Sequence, residues 1–176
     1  TYASGGWLHP HSALAVRPTP GAESSHDLFF QIGSKVNFGL TTQTASITTS
    51  NLGGLSGTLQ GDSIYSITFT DRTNNVLASA LTRIASGLRN PSGFAFHPEN
   101  GDLYFEDNGI DGLVDANEPH GADELNVLPA SAIGGPVVPV ALGIATFQGD
   151  PHVHLHAEFA QGCHGVTHRN IAGGLA

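Results

Sequence analysis

Two similar stretches of sequence decide the fold: SALAVRPTPGAESSHDLFFQIGS at residues 12–34 and SGFAFHPENGDLYFEDNG at residues 92–109. Each begins with a short apolar run, passes through a proline-containing turn and continues into an Asp-Leu-aromatic-Phe run. The second copy has Pro98-Glu99-Asn100-Gly101 at its centre, which are residues that favour a tight turn between two strands. Each copy therefore predicts an antiparallel β-hairpin, and the copies start about 80 residues apart.

Repeated hairpins at this wide spacing are typical of a β-propeller with large blades, in which each blade is an antiparallel sheet. A closed propeller has about four to eight blades, so 176 residues would hold about two of them. We therefore predict an all-β chain of β-propeller-like antiparallel blades that is part of a longer protein. A β-sandwich with two unrelated hairpins is the alternative.

The rest of the chain also predicts strands, because short apolar runs recur between Gly, Pro, Asn and Asp without the period of a long helix. The glycine-rich stretch GGLSGTLQGDS at residues 53–63 lacks the Lys-Ser/Thr pair of a phosphate loop and is predicted to connect two strands. The predicted strands are Ser12–Arg17, Asp27–Ile32, Ala45–Ser50, Ser63–Thr70, Val76–Ala85, Gly93–His97, Asp102–Glu106, Glu124–Leu128 and Val137–Phe147.

Composition argues against several classes of protein. The formal charge is −9 and Lys35 is the single lysine, which argues against nucleic acid and anionic membranes as partners. No run of 18 apolar residues is present, so no membrane insertion is expected. Cys163 has no second cysteine with which to form a disulfide. The chain starts with neither Met nor a charged-then-apolar leader, so we expect a fragment or a processed product.

The stretch from Glu99 to Glu124 holds nine of the fifteen acidic residues and no Lys or Arg. Crowded carboxylates repel one another, and Ca²⁺ relieves that repulsion by binding several oxygens at once. DNGIDGLVDANE, from residue 107, partly fits the helix–loop–helix calcium pattern, with Gly109 at a position that usually supplies a side-chain oxygen. A solvated acidic loop is the alternative. The candidate calcium ligands in this pattern are Asp107, Asp111, Asp115 and Glu118.

Two further motifs carry candidate site residues. GLRNPSGFAFHP at residues 87–98 presents Arg89 and Asn90 at a strand–turn junction, where such a pair binds carbonyl or carboxylate groups. An ion pair between Arg89 and the acidic stretch is the alternative. WLHPHSALAV at residues 7–16 places His9 and His11 before a strand, and histidine is the usual general base because its pKa lies near neutrality. Loop histidines without a catalytic role are the alternative.

The chain is divided into a propeller segment, residues 1–148, and a histidine-rich tail, residues 149–176. HVHLHAEF at residues 152–159 would place three imidazoles on one face of a strand, an arrangement that binds zinc, copper or nickel. A histidine-rich tail without a metal is the alternative. The candidate ligands are His152, His154, His156, Cys163, His164 and His168.

Residues 84–128, IASGLRNPSGFAFHPENGDLYFEDNGIDGLVDANEPHGADELNVL, resemble the glucose/sorbosone dehydrogenase family through GLRNPSGFAF, GDLYFEDNG and ADELN in that order. HPHSALAV and DLFFQIGS resemble the preceding blade of the same family. Its members are aldose dehydrogenases that use pyrroloquinoline quinone and calcium on a six-bladed propeller. The resemblance covers Trp7 to Leu128 and implies a secreted or periplasmic oxidoreductase, with a sugar and an electron acceptor as its partners.

The resemblance also implies roles for individual residues. His9 matches the base that takes the sugar hydroxyl proton, with His11 as a second candidate, and Arg89 and Asn90 match the pair that contacts the quinone. The backbone carbonyls of Gly109 and Ile110 would hold the active-site calcium, and Asp123 and Glu124 a further calcium. The alternative function is a non-catalytic, calcium-stabilised extracellular β module that binds glycans or protein partners.

Overall fold

The structure is a computed structural model that describes residues 7–9, 13–37, 42–49, 53, 55–73, 75–110 and 123–140. The predicted all-β class is confirmed: the described residues form β-strands and one short 3-10 helix. No helix among them is long and apolar enough to cross a membrane. The elements are β1 Leu14–Pro18, β2 Ser25–Ile32, β3 Thr44–Thr48, β4 Ser56–Gln60, β5 Ser63–Arg72, β6 Asn75–Ser86, β7 Pro91–Phe96, β8 Leu103–Asp107, β9 Glu124–Leu128, the 3-10 helix Ala130–Ala132 and β10 Val138–Pro139.

The first sheet has the order β1-β2-β5-β6-β10. Its first four strands form an antiparallel meander, into which the β3–β4 hairpin is inserted between β2 and β5. The short β10 adds to the end of β6 in parallel, through Val138 and Pro139. A four-stranded antiparallel meander is the arrangement of a propeller blade.

The second sheet is the antiparallel meander β7-β8-β9. Both sequence repeats form the predicted hairpins, since β1 pairs with β2 and β7 pairs with β8. The first strands of the two hairpins, β1 and β7, also contact one another. Two antiparallel sheets related in this way are consistent with part of a β-propeller.

The hydrophobic core consists of two clusters on opposite faces of the first sheet. Each fully buried apolar side chain contributes about 1.5–3 kcal/mol to stability, so these clusters hold the sheets and the hairpin together. One cluster joins the two sheets and includes Phe29, Ile64, Ile84, Leu103, Phe105 and Leu128. The other joins the first sheet to the β3–β4 hairpin and includes Phe30, Tyr65, Ile67, Ala45, Ile47 and Leu59.

A partly buried arginine also connects the two sheets. The Arg17 guanidinium lies 5.2 Å from the ring centroid of Phe29 and 5.0 Å from that of Phe96, and the two rings meet edge to face. Its Nε is 3.6 Å from Oδ2 of Asp27, and Oδ1 of the same carboxylate accepts hydrogen bonds from two threonine hydroxyls. The cation therefore contacts aromatic faces from both sheets while its charge is balanced.

The connection predicted at residues 53–63 is wrong in part, because Ser56–Gln60 forms the strand β4. Leu59 is the one large apolar residue of this strand and is fully buried. The serine, glycine and threonine before it give no alternation of apolar and polar residues, so the sequence does not predict a strand here. A Cβ on Gly57 would lie 2.4 Å from Cδ2 of Leu81, so the glycine allows the hairpin to pack closely. The strand predicted at Val137–Phe147 is observed at Val138–Pro139, and residues 141–147 lie outside the described residues.

Candidate functional site

The candidate site is built around Gly33, which follows β2. The main chains of Leu8 and His9 run beside this segment: the His9 N–H donates to the Ser34 carbonyl at 3.1 Å, and the Gly33 N–H donates to the His9 carbonyl at 3.0 Å. The Ser34 N–H in turn donates to the Arg89 carbonyl at 2.6 Å. Residues from three distant parts of the sequence, His9, Gly33 and Arg89, therefore meet at one point.

Gly33 has no room for a side chain at this meeting point. A Cβ there would lie 2.4 Å from the Arg89 carbonyl oxygen, 2.9 Å from the His9 Cβ and 3.0 Å from the His9 carbonyl oxygen. Two of these atoms belong to the main chain and cannot rotate away. The approach of His9 to Arg89 therefore depends on a glycine at position 33.

Asp107, at the end of β8, holds the main chain of the Arg-Asn pair. Both of its carboxylate oxygens accept from the Arg89 N–H, at 3.1 and 3.0 Å, and one accepts from the Asn90 N–H at 2.6 Å. Asp107 is 5% exposed and Arg89 is 4% exposed. Successive backbone N–H groups directed at one oxygen form an anion-binding arrangement, which here is filled by the protein's own carboxylate.

The Arg89 guanidinium binds both the segment after β2 and the segment after β8, which are the second strands of the two repeated hairpins. Its Nε donates to the Asn37 carbonyl at 2.7 Å, and its Nη2 donates to Oδ1 of the same residue. Its Nη1 donates to the Asn108 carbonyl at 3.0 Å. The group is thereby held between the chain after β2 and the chain after β8.

The segment after β8 is held by its neighbours on both sides. The Asn108 N–H and Nδ2 donate to the Asn90 carbonyl at 3.2 and 2.9 Å. The Gly109 N–H donates to Oδ1 of Asp123 at 2.9 Å. The backbone at Asn108 and Gly109, which precedes Ile110, is therefore held beside the Arg89 guanidinium and Asp123.

Buried carboxyl groups make this end of the second sheet acidic. Burial, with a smaller contribution from the charge of Asp62, raises the pKa of Asp107 to about 6, although the N–H groups of Arg89 and Asn90 and the charge of Arg89 oppose the shift. Glu124 lies opposite Asp107 in the β8–β9 pairing. Burial, together with the charge of Asp107, raises the pKa of Glu124 to about 7, against a hydrogen bond with Asn126. Both carboxyls thus hold their protons to higher pH than exposed ones do.

The structure brings several of the predicted residues together and leaves others outside its described part. No group of three or more His, Cys, Asp or Glu side chains that could hold a metal is found within the described residues. Those brought to this end of the sheets are His9, Arg89, Asn90, Asp107, Gly109, Asp123 and Glu124, with Ile110 next in the chain. Those outside the described residues are His11, Asp111, Asp115, Glu118, His152, His154, His156, Cys163, His164 and His168.

Three residues of the site were not predicted: Gly33, Asn37 and Asp62. Gly33 and Asn37 contact Arg89 across 56 and 52 positions of sequence. Asp62 is 4% exposed, its main-chain carbonyl accepts from the Leu88 N–H at 3.1 Å, and its φ is positive at 56°. Its position before a strand in a Gly-Asp-Ser turn is the one sequence signal that could have drawn attention to it.

Comparisons with known proteins say little about the chain. No family profile and no solved structure matches it. An uncharacterized protein of Borreliella burgdorferi is 51% identical to it over 45 residues, which are 26% of this chain and 11% of that protein. The match therefore spans about a tenth of that relative's length, and the relative's name states no activity.

Proposed function

We propose that the chain is part of a sugar dehydrogenase-like oxidoreductase, which oxidises an aldose with pyrroloquinoline quinone and calcium. The observation that carries this proposal is that the main chains of His9 and Arg89 meet at Gly33, while the Arg89 guanidinium donates to the carbonyl of Asn108, the residue before Gly109. The residues for which the sequence resemblance implies a base, a quinone contact and a calcium-binding carbonyl thus belong to one region.

The residues present fit a carboxylate-bearing quinone and a cation. Arg89 is buried and three hydrogen bonds fix the orientation of its guanidinium, a group that binds carboxylates. The raised pKa values of Asp107 and Glu124 come from burial and from their proximity. A divalent cation beside them would favour their ionised forms.

The quinone, when bound, would accept the hydride of the sugar carbon, and the chain's own residues would do the rest. His9 would take the proton of the sugar hydroxyl, a role suited to an imidazole whose Nε2 is shielded from bulk solvent. Arg89 would stabilise negative charge that develops on the reduced ring. The carbonyls at Gly109 and Ile110 are the oxygens that would hold calcium beside that charge.

A titration of pyrroloquinoline quinone into the purified chain, with calcium and again with a chelator, tests this proposal. Trp7 is the single tryptophan, lies two residues from His9 and packs against the second core cluster, so its fluorescence reports on the site. We expect saturable, calcium-dependent quenching. Arg89→Lys, which replaces the planar guanidinium by a single ammonium group, should weaken quinone binding by about tenfold or more.

The matched control is Arg72→Lys, at an exposed position at the end of β5, which should bind as the parent does. Circular dichroism of each variant would show whether it is folded. A folded parent chain that gives no saturable quenching in the presence of calcium would contradict the proposal.

The alternative, a calcium-stabilised β module that binds glycans or protein partners, is favoured by one observation. The three side-chain hydrogen bonds of Arg89 tie the two sheets together, which is a structural use of the residue. In that case calcium should raise the thermal midpoint and a chelator reverse the effect, without any quinone binding. The titration above therefore separates the two proposals.

A further inference from the structure

Asn100 and Asn108 are the two asparagines of this chain that are followed by a glycine. A glycine has no side chain to shield its main-chain nitrogen, so that nitrogen can reach the amide carbon of the asparagine before it. Asn100 lies in the turn before β8, and Asn108 follows the end of that strand. Because both asparagines precede glycine, the sequence alone does not decide which of them reacts.

We propose that Asn100 is a site of spontaneous deamidation, whereas the fold protects Asn108. In this reaction the Gly101 nitrogen gives up its proton and bonds to Cγ of Asn100, while the side-chain nitrogen takes up a proton and leaves as ammonia. Water then opens the resulting succinimide at either of its carbonyl carbons and leaves aspartate or isoaspartate. One water is consumed and one ammonia is released for each asparagine converted.

The exposed turn presents the side-chain amide of Asn100 in a favourable arrangement for this attack. Its Oδ1 accepts from the Asp102 N–H at 3.1 Å, and its Nδ2 donates to Oδ2 of Asp102 at 2.8 Å. The first bond polarises the amide carbonyl and stabilises the negative charge that develops on Oδ1 when the nitrogen attacks. The neighbouring residue thus supplies an oxyanion-binding N–H from within the turn.

The turn opens at low cost because its hydrogen bonds are local. The Gly101 N–H donates to the His97 carbonyl at 3.0 Å, and this bond has to break before the nitrogen can attack. The Asn100 N–H donates to Nδ1 of His97 at 3.4 Å. Both bonds lie within the turn, so they can break without any separation of β7 from β8, and exposed loop tips are among the parts of a fold that open most easily.

Asn108, in contrast, is held by hydrogen bonds that reach beyond its own turn. Its Nδ2 donates to the Asn90 carbonyl at 2.9 Å and to Oγ of Ser92 at 3.2 Å. The Gly109 N–H, which is the nucleophile at this site, donates to Oδ1 of Asp123 at 2.9 Å. Several of these bonds have to break together before Asn108 can react, so we expect its rate to be lower by about tenfold or more.

Incubation of the purified, folded chain in mildly alkaline buffer, followed by peptide mapping with mass spectrometry, measures both sites in one molecule. Asn108 is the matched internal control. We expect Asn100 to deamidate about tenfold or more faster than Asn108 in the folded chain. In urea, where the fold is lost, the two rates should become similar.

Two results would overturn the proposal. The first is a rate at Asn100 that is equal to or below the rate at Asn108 in a chain that circular dichroism shows to be folded. The second is a difference between the two rates that persists unchanged in urea, since it would then come from the local sequence and not from the fold.

Deamidation at Asn100 should also weaken the link between this turn and the chain after β9. Oδ1 of Asp102 accepts from the Ala130 N–H at 2.8 Å, and an aspartate at position 100 would place a second carboxylate beside Asp102. We expect Asn100→Asp to have a lower thermal midpoint than Asn75→Asp, the same change at an exposed position that pairs with Arg72. Equal midpoints would refute this loss of stability.

Discussion

The buried carboxyl of Asp107 should make the stability of the protein depend on pH, and Asp107→Asn should remove the part of that dependence that comes from Asp107. Asp107 is 5% exposed, and its pKa is raised from 3.8 to about 6 by burial. The folded state thus binds this proton more tightly than the unfolded chain does. The stabilisation is fully present below pH 3.8 and is lost as the pH rises through about 6.

The size of the effect follows from the two pKa values. The gap between 3.8 and about 6 corresponds to about 3 kcal/mol at about 1.36 kcal/mol per pKa unit. Little solvent screening applies, because the side chain is almost completely buried. The asparagine variant carries no charge at any pH and keeps an oxygen that can accept from the Arg89 and Asn90 N–H groups.

Urea denaturation of the parent and of Asp107→Asn between pH 4 and pH 7, in chelator, measures the effect. We expect the free energy of unfolding of the variant to rise by about 2–2.5 kcal/mol relative to the parent across this range, because part of the stabilisation is already lost at pH 4. Glu124 titrates in the same direction in both proteins, and its coupling to Asp107 adds to the difference with the same sign.

Two outcomes would refute this reasoning. A difference between the two proteins that stays constant with pH would mean that the pKa of Asp107 is the same in the folded and unfolded chains. A parent that gains stability relative to the variant as the pH rises would mean that the Arg89 and Asn90 N–H groups stabilise the ionised carboxylate more than burial penalises it.

Two further predictions concern packing. Gly33→Ala should lower the free energy of unfolding by about 1–3 kcal/mol or more, because the new Cβ would lie 2.4 Å from the Arg89 carbonyl oxygen. The control Gly135→Ala, whose new Cβ has its nearest atom at 3.4 Å, should have little effect, so equal urea midpoints for the two variants would contradict the prediction. Phe105→Ala should lower the free energy of unfolding by about 3–5 kcal/mol, because the ring is 1% exposed between the two sheets. A loss below about 1 kcal/mol, measured by calorimetry, would mean that the ring is not part of the core.

Strands were predictable where local pattern and burial agree. Ser63–Thr70 alternates along its length and lies within the observed β5, and both Asp-Leu-aromatic-Phe runs form the second strand of a hairpin. In these segments one face of the strand meets a core, so the required side chains recur with a period of two. β4 was missed because Leu59 is its one large apolar residue, and its place in the fold depends on packing against residues of other strands.

The candidate site was predictable where the chemistry is local. Arg89 and Asn90 were chosen from a turn in the sequence, and Asp107 from an acidic stretch, and the structure brings these three together. Asp107, which belongs to the acidic stretch, binds the main-chain N–H groups of Arg89 and Asn90, while the guanidinium donates to Asn37 and Asn108. No local pattern distinguishes a carboxylate that binds a side chain from one that binds the backbone.

The sequence by itself determined the all-β class, the two hairpins and the chemical character of the residues at the site, because periodicity and turn residues act over a few positions. The tertiary structure alone decided that His9 and Arg89 meet at Gly33, and that Asn37 holds the guanidinium. These contacts join segments that lie 52 or more positions from Arg89 in the sequence. They form through the packing of one sheet on another, which depends on the shapes of all the buried side chains at once.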